Sequence, residues 1–170
     1  WVQFNGQTLN LSQRKIKILC ILALHPHGIG LEELHYALYG ERSVSLKTLK
    51  AELSQLRSLL PHSIEARIYR LSCEVQCDFL SAEQSLNANL ISSTFSLYKG
   101  SFLSKSESPL LSTWRHCFDA RLSQLIYQIK DIDQLLRIIG QTHDRIDAVQ
   151  RLLELLPQDS IHRNYFSNLI

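Results

Sequence analysis

Residues 45–71 read SLKTLKAELSQLRSLLPHSIEARIYRL, a helical pattern followed within a few residues by an extended one. Leu46, Leu49, Leu53, Leu56 and Leu60 are spaced 3, 4, 3 and 4 apart. At about 3.6 residues per turn this puts them in one stripe on a helix from about Ser45 to Leu60, which Pro61 ends. Rotating by about 100° per residue places Lys47, Ala51, Ser54, Gln55 and Ser58 opposite that stripe, with Lys50 and Arg57 on the shoulder. The outer face is therefore small, polar and basic. Solvated helix faces usually mix Glu with Lys, because opposite charges one turn apart stabilise them. Here only Glu52 interrupts the run, and it points to the side. Beyond Pro61, Ser63–Ser72 reads as extended, with Ile64, Ile68, Tyr69 and Leu71 as apolar anchors and Arg67 and Arg70 exposed.

Toward the N-terminus, WVQFNGQTLNL (residues 1–11) alternates Val2, Phe4, Leu9 and Leu11 around Asn5-Gly6, a pair that tolerates the positive φ of a tight hairpin. Ser12 then offers an oxygen to the first amides of a helix over Gln13–Leu24, which His25-Pro26-His27-Gly28 ends. After Lys17 that helix is apolar on nearly every face, so it belongs at the centre of a core. A short helix follows Gly28-Ile29-Gly30, from Leu31 to Leu38, with Glu32 and Glu33 complementing its dipole and Tyr39-Gly40 closing it. Hairpin, three helices and a basic strand pair is the order of a winged helix.

From Phe79 onward helices are predicted over 79–90, 91–98, 110–130, 132–140, 145–156 and 160–170, broken by Gly100, by SKSESP (104–109), by Gly140 and by Pro157. The fold class is mainly α, divided into residues 1–77 and 78–170. The turn Gly140-Gln141-Thr142-His143-Asp144 and the later Pro157-Gln158-Asp159 give the second part a tetratricopeptide-like (TPR-like) pattern.

Composition narrows the function classes. The 170 residues are 45% hydrophobic and 20% charged with a net charge of +2, so basic surface must be local. Cys73 and Cys77 lack a second cysteine pair, so no metal site is expected, and the chain reads as cytoplasmic and reducing. The seven histidines form no paired motif, no nucleophile–base arrangement is apparent, and there is no glycine-rich phosphate loop. Neither enzyme activity nor a cofactor is expected. No stretch approaches the roughly 18 apolar residues of a membrane span. The chain opens on Trp1, has no Met and stops on Ile170, from which a sensor domain outside this piece is expected.

LSQRKIKILCILAL, LEELHYALYG, TLKAELSQLRSLL and IYRL together resemble the winged-helix output domain of OmpR/PhoB-type response regulators. Leu56-Arg57 and Tyr69-Arg70-Leu71 are its landmarks. Residues 78–170 resemble the bacterial transcriptional activator domain that follows this winged helix in SARP-type regulators. The matching pieces are Asp78-Phe79, Leu97–Leu103, Trp114-Arg115, Gly140 with Asp147-Ala148, Leu156–Asp159 and His162-Arg163. Two features depart from the pattern: Ile68 stands where a glycine is usual, and Leu56-Arg57-Ser58 carries one cation fewer.

The resemblance implies a transcriptional regulator, an activator, that binds double-stranded DNA. Its second domain would serve dimerisation, signal transmission or contact with RNA polymerase. Base or groove contacts would come from Lys47, Lys50, Ala51, Ser54, Gln55 and Ser58, and phosphate contacts from Arg14, Lys15, Thr48, Arg57, Arg67 and Arg70. Arg57 has a second reading, as a structural cation paired with an acid such as Glu33. The alternative from another class is a protein-interaction scaffold whose winged helix no longer binds DNA.

Overall fold

The computed structural model describes residues 2–142 and 144–168. Trp1, His143, Leu169 and Ile170 lie outside that description, and with them the first residue of the expected hairpin, one residue of the expected 140–144 turn and the end of the last expected helix. The protein is mainly α-helical, with one two-stranded sheet among the described residues. It divides into two compact units, one holding the residues up to Cys77 together with Lys105–Trp114, the other Asp78–Ser104 and Arg115 onward.

In the first unit, β1 (Val2–Phe4) and β2 (Gln7–Leu9) pair antiparallel with Val2 opposite Leu9 and Phe4 opposite Gln7. Asn5 (φ 49°) and Gly6 (φ 77°) make the two-residue turn, whose positive φ angles match the right-handed twist of the strands. Helices α1 (Gln13–Leu24), α2 (Leu31–Tyr39) and α3 (Leu46–Leu59) follow. Ser12 caps α1 by accepting from Lys15 N–H, and the Glu33 carboxylate accepts from Gly30 N–H at 3.1 Å at the start of α2. The core is built by Ile18, Ile21 and Leu22 of α1, Leu34 and Leu38 of α2, and Leu49, Leu53 and Leu56 of α3. The leucine stripe loosens at its N-terminal end, where Leu46 is exposed while Leu49, one turn on, is buried.

The segment 63–72 differs from the expected strand pair. It holds to two isolated bridges, Ile64 with Leu71 and Tyr69 with Ile29, the latter closed by Ile29 N–H to Tyr69 O at 3.0 Å and Tyr69 N–H to Ile29 O at 2.9 Å. Ile29, which the sequence places in a simple break, is thus a pairing partner. Ile68 is no anchor: it is 57% exposed, since the reversal at Arg67 (φ 76°) turns it outward. Its Cγ2 lies over Gly28, where an added Cβ would stand 2.2 Å away, and Gly28 itself has φ 93°. Gly28→Ala should therefore destabilise the protein by at least about 1–3 kcal/mol, seen as a lower urea midpoint at unchanged slope. A wild-type midpoint would refute this account of the α1–α2 connection.

Residues 105–114 join the first unit through polar contacts that a linear division at residue 77 does not contain. The buried Ser108 hydroxyl donates to Ala37 O at 2.7 Å, and Arg42 pairs with Glu107 at 2.7 Å.

The second unit is helical: α4 (Asp78–Asn87), α5 (Ile91–Leu97), α6 (Pro109–Gln128, from Arg115 onward in this unit), α7 (Ile132–Gln141), α8 (Ile146–Leu155) and α9 (Ile161–Ser167). α4 packs on α5, α5 on α7, α7 on α8 and α8 on α9. Phe118, Leu122 and Leu125 recur at helical spacing along the end of α6, with the buried Ile129 just beyond it, and Leu135, Ile138, Ala148 and Leu152 are buried residues of α7 and α8.

A buried cation sits among these apolar side chains. Arg145, 8% exposed, donates from Nε to Asp147 Oδ1 at 3.0 Å and from Nη2 to the Ser123 hydroxyl at 2.9 Å. Its Nη1 lies 3.5 Å from Asp119 Oδ1, an ion pair without a hydrogen bond, and its guanidinium stands 5.9 Å from the Tyr98 ring centroid. Burial raises the Asp119 carboxyl above its ordinary value despite the opposing Arg145 charge. The Tyr98 phenol is raised well above its usual range, first by burial and then by its hydrogen bond to Asp144 at 2.9 Å.

Candidate nucleic-acid interface

Ser45 begins α3 by accepting from Thr48 N–H at 3.3 Å, and the buried Leu49, Leu53 and Leu56 fix which way the helix turns. With that face committed to the core, the helical period delivers Lys47, Lys50, Ala51, Ser54, Gln55 and Ser58 to solvent, and all six are exposed. Neither Lys47 nor Lys50 has a carboxylate within ion-pair distance among the described residues. The Ser58 hydroxyl donates back to Ser54 O at 3.2 Å, leaving its oxygen as an acceptor. The result is a surface about three turns long with unneutralised ammonium groups, small side chains and one amide.

The residues expected at phosphates divide differently. Arg14 and Lys15 both reach Glu52, at 3.3 and 3.5 Å, and so tie the start of α1 to the side of α3. Glu52 points sideways as expected, and it neutralises two of the cations assigned to DNA. Arg70 forks onto Glu65 with bonds of 2.8 and 3.0 Å. Thr48 is half-buried, its hydroxyl 3.0 Å from that of Ser45. Arg57 is not paired with Glu33, which is occupied at Gly30. It donates instead to Glu65 O at 3.1 Å with its guanidinium 5.3 Å from the Tyr69 centroid, bracing the 63–72 segment against α3. Arg67 is exposed, held outward by its positive φ, and has no ion pair among the described residues. A cation that sequence reasoning passed over is Lys17, half-buried on α1 and likewise without an ion pair among the described residues. Its i+3 spacing from Arg14 was the available signal.

No family model matches the chain. It is 28% identical over 145 residues to an "Uncharacterized 47.3 kDa protein in thcA 5'region" of Rhodococcus erythropolis. That alignment covers 85% of this chain and 33% of the relative, so the chain spans about a third of the relative's length.

Among the described residues no helix is long and apolar enough to cross a membrane. The chemistry that the α3 face offers is recognition: two point charges for oxyanions or guanine edges, the Gln55 amide for a paired contact, and Ala51 for close approach.

Proposed function

We propose that the first unit is a winged-helix DNA-binding domain and the second a TPR-like domain of protein contacts, together forming part of a cytoplasmic transcriptional activator. The observation that carries this reading is the acid-free exposed face of α3, set opposite the buried Leu49, Leu53, Leu56 and Leu60. In this reading α3 lies in the major groove, where Lys47 and Lys50 meet guanine edges or phosphates and Gln55 pairs with adenine. The bridged segment 63–72 acts as a short wing presenting Arg67 to a phosphate. The second unit serves a homodimer or RNA polymerase.

The test is binding-site selection from random duplexes by the purified chain, followed by titration of the winning duplex across salt concentrations. Enrichment of one sequence is expected. The logarithm of the affinity should fall linearly with that of salt, with a slope of about −2 to −3 for Lys47, Lys50 and Arg67 at about 0.9 per phosphate neutralised.

A second reading has its own support. Arg14, Lys15 and Arg70 are held by acids of the same unit, and Ile68 occupies the outer turn of the wing, as suits a scaffold that uses this face for a protein partner. Absence of enrichment together with salt-insensitive binding would favour it.

A further inference from the structure

A cleft of about 450 Å³ lies within the first unit, where the start of α1 meets the end of α2 and the side of α3. Its volume is in the range of small-molecule sites. Ser12, Gln13 and Arg14 bring the first turn of α1 to it. First-turn amides have no acceptor within their own helix, and the Ser12 hydroxyl takes only that of Lys15. A helix N-terminus alone does not make a site. Here Tyr39 adds a second, separate observation: it lines the same cleft, is 7% exposed, and its hydroxyl is buried with no hydrogen-bond partner among the described residues.

A buried phenol hydroxyl left unpaired costs about 1–3 kcal/mol, so its retention in a core position calls for an occupant. Burial raises its pKa, with Arg14 lowering it and Glu52 raising it, so the hydroxyl sits in the field of both cleft-lining charges. Glu52 Oε2 is also buried without a hydrogen bond, although Lys15 Nζ stands 3.5 Å away. Lys17 lines the cleft half-buried and without an ion pair among the described residues, and Arg42 closes the rim with its charge shared with Glu107. The cleft lining thus combines a cation and helix amides with an orphaned phenol and a carboxylate.

The geometry points to a binding site for a small oxyanion-bearing metabolite, its phosphate or carboxylate on Lys17 and the α1 amides, and a neighbouring hydroxyl on Tyr39 and Glu52. Because Glu52 belongs to α3, an occupant would act directly on the ties that Arg14 and Lys15 make to that helix.

The test is amide and tyrosine-ring chemical shifts of the whole chain, titrated with inorganic phosphate and with glycerol phosphate against chloride at equal ionic strength. Saturable shifts at Gln13, Arg14 and Tyr39 are expected, with tighter binding of glycerol phosphate because its hydroxyl reaches Tyr39 and Glu52. Lys17→Gln should weaken binding at least tenfold. Tyr39→Phe keeps the ring and removes an unpaired hydroxyl, so it should fold and should abolish the preference for glycerol phosphate. Lys47→Ala with Lys50→Ala should leave the shifts unchanged. The proposal is overturned if chloride reproduces the shifts, or if they follow Lys47 and Lys50 instead of Lys17. It also falls if Lys17→Gln lowers duplex affinity as much as the α3 variant does, since the oxyanion is then a DNA phosphate. None of the direct titrations requires the DNA-binding reading, so the two can fail separately.

Discussion

Replacing Arg145 with Ala should destabilise the second unit by about 1–3 kcal/mol, because it strands half-buried acids that the guanidinium now serves. Asp147 loses two bonds, Ser123 loses its donor, and Asp119 loses the largest of the charges that oppose its burial. Far-UV circular dichroism during urea titration of the whole chain would measure the loss. The deficit has a pH signature. Asp119 is raised in the folded protein, so it binds its proton more tightly folded than unfolded, and its contribution to stability falls as pH rises from its ordinary 3.8 through the raised folded value. Removing Arg145 raises that folded value further. The deficit should therefore be largest at neutral pH and shrink as the solution is acidified toward the carboxylate range. Asp119→Asn in the Arg145→Ala background should recover part of the loss at neutral pH. A penalty below about 1 kcal/mol, or one independent of pH, would mean that water already serves these acids.

Arg145 also marks the boundary of what the sequence discloses. Its segment was legible as a helix: 145–156 is predicted and Ile146–Leu155 is found, just as Ser45–Leu60 became Leu46–Leu59 and 110–130 became Pro109–Gln128. Periodic apolar residues and punctuation by Pro, Gly and Ser are local signals, and local signals bound helices well. Nothing local says that Arg145 turns inward, because its partners at 119 and 123 lie on another helix.

The same limit explains the candidate interface. The α3 face was legible because a helix whose leucines are buried must expose its opposite side. The roles of Arg14 and Lys15 were not, since their acid is Glu52, 38 residues from Arg14, on another helix. Nor was the Ile29–Tyr69 bridge, which is made by backbone groups and leaves no side-chain pattern, or the Ser108–Ala37 bond across 71 residues. Charge counted along a sequence overstates charge available to a ligand, because folding brings acids of distant elements to the cations first. That correction removes Arg14, Lys15 and Arg70 from the open field and leaves Lys47, Lys50 and Arg67 in it.

Those two lysines accordingly concentrate the functional prediction. Lys47→Ala with Lys50→Ala should lower affinity for a selected duplex at least tenfold, since a good contact to a guanine edge is worth about 1–3 kcal/mol and tenfold corresponds to about 1.4 kcal/mol. The loss should not come from unfolding. Both side chains are exposed, and alanine is the best helix former, so stability should stay within about 0.5 kcal/mol of wild type. Salt separates the two kinds of contact. A lysine on a phosphate should take about 1 from the magnitude of the salt slope when removed and weaken all duplexes alike. A lysine on a guanine should leave the slope nearly intact and relax selection at one base pair. Single variants measured by fluorescence anisotropy on matched and mismatched duplexes assign each residue. Lys50, on the shoulder of the face, is expected at phosphate, and Lys47, at its centre, at the base edge. Wild-type affinity in the folded double variant would remove α3 as the reading helix and leave the exposed Arg67, at the turn of the 63–72 segment, as the cation open to a phosphate.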